Sequence, residues 1–244
     1  MTVIAAVLLA FGLVLTGCNA VEVGGVSGPV EVGGADVPEQ HETVSYDVSG
    51  ELTALRVATG AGTIDVTESA RSGTRVTETL RWKGPKPVTR HAVDGGTLTL
   101  DHTCPSDDKV WHNRMCVVDY RVEIPHGLEV KADAGAGTVT LHALSGTVEA
   151  RSGAGDVEAD DLSAERITAS SGTGGVRLIF SGPPESVEVR TATGDGVVRL
   201  PQGSYHVVTG TVTGRERIGV VDDPASPRSV RVTSATGDID ISQR

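Results

Sequence analysis

Glycines at 137, 155, 174 and 194 recur at steps of 18, 19 and 20 residues, each just ahead of a short alternating apolar burst, and this repeat constrains the fold more than any other feature. A unit of that length has room for two short strands and two turns. It cannot bury an apolar face alone, so successive units must stack on one another. Upstream of each turn stands Val/Leu-x-Val/Ala. Leu128-Glu129-Val130 leads to Gly137 through Leu141, Val148-Glu149-Ala150 to Gly155-Asp156-Val157, and Ile167-Thr168-Ala169 to Gly174 through Leu178. Val187-Glu188-Val189 leads to Gly194-Asp195-Gly196 and then Val197 through Leu200, where one extra residue predicts a bulge. More distant copies begin at Leu55, with Gly62 through Val66, and at Val230, with Gly237 through Ile241.

The bursts alternate with period two, which is strand periodicity. Val139, Val157 and Val176 fall in the inward phase, and Thr140, Glu158 and Arg177 point outward. Leu162-Ser163-Ala164-Glu165-Arg166 offers at best one helical turn. The predicted fold is therefore all-β, a β-solenoid or β-helix-like stack of short strands with ~20-residue repeats. The alternative is a β-sandwich, which also spaces its strands closely but seldom repeats its turn chemistry so regularly.

No catalytic constellation stands out. Aromatic residues make up 3% of the chain, so neither a core of large rings nor a sugar groove of stacked ring faces is to be expected. Asp156, Asp195 and Asp238 each follow a turn glycine, which is ordinary turn chemistry, and the nonapeptide calcium frame is absent. His102, Cys104, Asp107, Asp108, His112 and Cys116 cluster in the sequence but lack the paired spacing of a closed zinc site, so neither metal nor cofactor is predicted. In an exported chain Cys104 and Cys116 read first as a disulfide. The insert between them gathers Trp111, His112, Arg114 and Met115 in a chain poor in large side chains. Trp and Arg dominate binding hot spots, so these four form the candidate partner-binding set, with capping of the stack's open end by Trp111 as the structural alternative.

Export is read from the N-terminus. An uncharged apolar run from Val3 to Leu15 is too short to span a membrane as a helix and ends in Leu15-Thr16-Gly17-Cys18, which resembles the lipobox of bacterial lipoproteins. Met1 and Thr2 lack the positive charge usual in front of such a run, which a start further upstream would supply. The reading divides the chain into a signal peptide at 1–17, lipidated Cys18 with a flexible tether at 18–50, and a repeat domain at 51–244. Val-Glu-Val-Gly-Gly, present at Val21 and again at Val30, gives the tether its glycine-rich character. A formal net charge of −11 argues against nucleic acid and anionic lipid surfaces as partners.

The glycine-punctuated turns, the Cys104-to-Cys116 insert, the strand Tyr120-Arg121-Val122-Glu123-Ile124-Pro125 and the lipobox together resemble the bacterial putative-adhesin family of β-strand-repeat proteins, long a domain of unknown function. The resemblance spans about residues 50–242. It implies a surface lipoprotein and brings no catalytic residues with it. The expectation is a non-catalytic protein on the extracytoplasmic face of the cell membrane, held by its lipid and meeting an envelope component or another cell-surface protein. The alternative is a polysaccharide-active β-helix hydrolase or lyase with an unrecognised site.

Overall fold

The computed structural model describes residues 38–105 and 114–244; the stretch read as a lipobox, with Cys18, lies outside them. Every element among the described residues is a strand, and none of them is a helix that could cross a membrane. The N-terminal part contains β1 (Gln40–Val48), β2 (Ala54–Ala61), β3 (Ile64–Glu68), β4 (Thr74–Lys83), β5 (Val88–Asp94), β6 (Thr97–Thr103) and β7 (Met115–Ile124). The closely spaced repeats supply β8 (Glu129–Ala136), β9 (Val139–His142), β10 (Val148–Ala154), β11 (Val157–Leu162), β12 (Arg166–Thr173), β13 (Val176–Phe180), β14 (Ser186–Thr193) and β15 (Gly196–Leu200). Then come β16 (Ser204–Thr213), β17 (Glu216–Gly219), β18 (Val221–Asp222), β19 (Ser229–Thr236) and β20 (Ile239–Gln243).

These strands build two ten-stranded mixed sheets, neither closed into a barrel. One runs β1-β4-β7-β3-β9-β11-β13-β15-β20-β17 and the other β18-β16-β19-β14-β12-β10-β8-β2-β6-β5. In the repeats the chain alternates between the sheets, and every pairing is parallel. Val130, Val148, Ile167 and Val187 stand side by side in one sheet, as do Val139, Val157, Val176 and Gly196 in the other. Each of the seven valines and isoleucines is at most 2% exposed. Burying one such side chain contributes roughly 1.5–3 kcal/mol, so the core draws its stability from many equal aliphatic steps. Thr140, Glu158 and Arg177 lie on the outer face, in the phase read from the sequence.

Turn geometry explains the glycine period. Gly155 has φ +143°, and a Cβ there would sit 2.4 Å from the carbonyl oxygen of Gly137 in the preceding unit. Hydroxyls satisfy the adjoining carbonyls from inside: Ser152 Oγ donates to Gly137 O at 2.9 Å and Ser171 Oγ to Gly155 O at 2.8 Å.

Two details differ from the sequence reading. The bulge expected near Val197 is absent, because Gly196 itself takes the inward place opposite Val176 and β15 runs in unbroken register. A Cβ at Gly196 would lie 2.7 Å from Val232 Cγ1, so the missing side chain makes room for a neighbour. The bulge sits instead in β11, between Ala159 and Leu162. In addition β1 falls within the stretch read as tether, yet pairs antiparallel with β4 from Gln40 to Val48 as an edge strand.

At the far end of the repeats polar residues enter inward positions. Where the inner strands β19 and β20 place Val232 and Ile239, β16 and the edge strand β17 place Thr209 and Glu216. Thr209 Oγ1 donates to Glu216 Oε2 at 2.6 Å and the Thr211 N–H to Oε1 at 3.1 Å, which ties the two sheets together, while Val212, Ile218 and Val221 remain exposed at this end.

Candidate functional site

Among the described residues, two gatherings of chemistry-bearing side chains stand out as candidate sites. The first lies between the sheets at their N-terminal end. Alternation along β4 turns Thr74, Val76, Glu78, Leu80 and Trp82 inward, and along β7 does the same for Cys116, Val118, Tyr120, Val122 and Ile124. A carboxylate thus enters the core: Glu78 is 2% exposed and accepts a 2.6 Å hydrogen bond from the Tyr46 hydroxyl. Burial, and then this bond to Glu78, raise the Tyr46 phenol well above its ordinary range. Tyr120 sits opposite Glu78 in the register, is 1% exposed and is likewise raised, first by burial and then by the Glu78 charge. Its hydroxyl has no hydrogen-bond partner among the described residues, and neither has Nδ1 of His102. Burial lowers the His102 imidazole from its usual value against the opposing pull of Asp101 and Glu78. The Tyr46 and His91 rings, 4.7 Å apart, bring the edge strands β1 and β5 together over this end.

The two cysteines meet here. Cys104, just past β6, and Cys116 in β7 form a disulfide with their Cα atoms 6.1 Å apart, joining strands of opposite sheets. Of the four candidate partner-binding residues, Trp111 and His112 lie outside the described residues, as do Asp107 and Asp108. Arg114 is exposed, and Met115 is half-buried on β7 opposite Lys83. The large ring the structure does place at this end is Trp82, 6% exposed, opposite Cys116 and with Lys86 Nζ 5.6 Å from its ring centre.

The second gathering is on the outer face, at the β11 bulge. Asp161 takes φ +52°, an uncommon conformation for a residue with a side chain. The extra residue leaves both Asp160 and Asp161 exposed in an open depression of about 690 Å³ lined by His142, Ile179, Arg177, Arg199 and Arg244 as well. His142 Nδ1 lies 2.7 Å from Asp160 Oδ1, and that hydrogen bond raises the imidazole above its ordinary value. Arg199 pairs with Asp240 at 3.0 Å, and Arg244 approaches Asp161 at 3.7 Å. Arg177 makes no ion pair among the described residues. Charged groups of both signs thus flank the half-buried side chain of Ile179. The sequence carries a signal for this site: Val157 to Leu162 uses six residues where Val176 to Phe180 uses five, with Asp-Asp breaking the alternation.

The turn aspartates have a structural role. Asp156 Oδ1 accepts the Gly175 N–H at 2.7 Å, Asp195 Oδ1 that of Asp238 at 2.7 Å, and Asp238 Oδ1 that of Arg215 at 2.8 Å. Each carboxylate staples one unit to the next.

No family model matches the chain, and no curated protein matches it. Among solved structures it is similar to a putative cell adhesion protein from Clostridium sporogenes, with 15% identity, 84% of this chain and 100% of that chain covered, and a TM-score of 0.51. A putative adhesin from Bacteroides fragilis has 16% identity, 86% and 100% coverage, and a TM-score of 0.45. At such identities the likeness speaks for architecture alone: the chain shares the fold of the Clostridium sporogenes protein.

Proposed function

We propose that this protein is a non-catalytic, lipid-anchored protein of the extracytoplasmic membrane face, a β-solenoid stack that binds an envelope component or another cell-surface protein through its outer surface. The single observation carrying this reading is the β11 bulge, the one register shift in the repeat pairings, which gathers His142, Asp160, Asp161, Arg177, Arg199 and Arg244 in one open depression. Strained backbone of this kind persists where surroundings over-determine it, and such places are enriched in binding sites. The solenoid reading is supported by the parallel pairings that advance by one repeat in both sheets. Its resemblance to the putative-adhesin family and its lipobox, ending at Cys18, support the address.

Two measurements test this. Cys18→Ala should abolish labelling by fatty acid and release the protein from the membrane; labelling equal to the unmutated protein would refute the anchor. A photo-reactive side chain at Arg177, on intact cells, should capture a partner that the same group at Arg190, on the other sheet, does not. Equal capture at both positions, or polysaccharide cleavage lost in Asp160→Asn, would overturn the binding role.

A further inference from the structure

Reduction of the disulfide would expose a different chemistry in the same place. Period-two alternation on β6 puts His102 on the face of Cys104, and Cys116 reaches the pair from the opposite sheet. A ring nitrogen of His102 and both sulfurs lie within 4.8 Å of one another. His102 Nδ1 is buried without a hydrogen-bond partner among the described residues. An unpartnered buried nitrogen calls for an explanation, and an unfilled ligand position is one.

We propose that the reduced protein holds a borderline-soft divalent cation of the zinc class through Cys104, Cys116 and His102, with the disulfide as its closed, metal-free form. The reductant is a dithiol. Its thiolate attacks one sulfur and breaks the S–S bond, and its second thiol resolves the mixed disulfide. Two electrons pass from the dithiol, which leaves oxidised, and both cysteines end as thiols. Binding the cation then releases one proton from each thiol. Zinc–sulfur bonds of about 2.3 Å in tetrahedral geometry hold two sulfurs about 3.8 Å apart. Side-chain rotation can reach that separation from Cα atoms already 6.1 Å apart, which leaves the paired strands in place. Cys104, Cys116 and His102 are the three protein ligands among the described residues, where a tetrahedral zinc site takes four.

The test uses the full chain, reduced with a phosphine and titrated with Zn²⁺ and with Co²⁺. One equivalent of metal should bind, and the cobalt form should show sulfur-to-metal charge-transfer absorption. Cys116→Ser should abolish that absorption. His102→Ala, which keeps both cysteines, should weaken binding by at least about tenfold. Failure to take up one equivalent, an unchanged affinity in His102→Ala, or loss of the β-sheet circular dichroism on reduction would each overturn the proposal.

Discussion

At the scale of single residues, position decides whether a glycine matters. Gly155→Ala drives a Cβ against the Gly137 carbonyl and forces a side chain into positive φ, so it should destabilise by about 3 kcal/mol. Gly210→Ala meets nothing within 4 Å and should stay within about 0.5 kcal/mol. Paired thermal melts check this, and equal shifts would refute the stacked-turn account. Glu68 shows what a buried carboxylate requires. Its side chain is 1% exposed and lies 2.5 Å from His126 Nδ1. Burial alone would raise its pKa, but hydrogen bonds from Ser145, His126 and Gly127 outweigh it and hold the group below its ordinary value of 4.5. The stability Glu68 contributes is therefore present above pH 4.5 and lost as pH falls through its lower folded value. Glu68→Gln should flatten that part of the stability-against-pH curve in chemical denaturation. A curve of unchanged slope would contradict the role.

For the strand elements, register is what sequence alternation controls. Val157 is fully buried and Glu158 exposed, although they are neighbours. Val157→Asp buries an unpaired charge and should cost more than about 4 kcal/mol, whereas Glu158→Lys should stay within about 0.5 kcal/mol. Similar urea midpoints for the two would mean the strand is turned the other way. The bulge in β11 shows where alternation stops being sufficient. Val-Glu-Ala-Asp-Asp-Leu announces an extra residue, but which of its members takes positive φ depends on the flanking strands. Ala159 pairs with Leu178 and Leu162 with Phe180, so the excess must fall on Asp160 and Asp161 between them.

Across the whole molecule, chain order and spatial order part company at the C-terminus. β19 lies between β14 and β16, and β20 between β15 and β17, although both come last in the chain. The final strands therefore complete the interior of each sheet. Deleting residues 229–244 should strip the pairing from β16 and β17, seen as lost amide protection in both, while β8 to β12 keep theirs. Retained protection in β16 and β17 would show that they hold another place.

Much of this was legible in the residues. Glycine spacing, period-two alternation and the inward phase of Val139, Val157 and Val176 are local properties, because the strand period and the steric needs of a turn act over a few positions. The cysteine pair could be proposed from composition and the expectation of export alone. What the tertiary structure decided depends on neighbours distant in the chain. Gly196 replaces a core side chain because Val232, from β19 in the other sheet, fills the space. Glu78 reads as one more polar residue in a strand until Tyr46, Tyr120 and His102 surround it. Sequence alternation determines which face a residue takes, and only the pairing of strands far apart in the chain determines what that face meets.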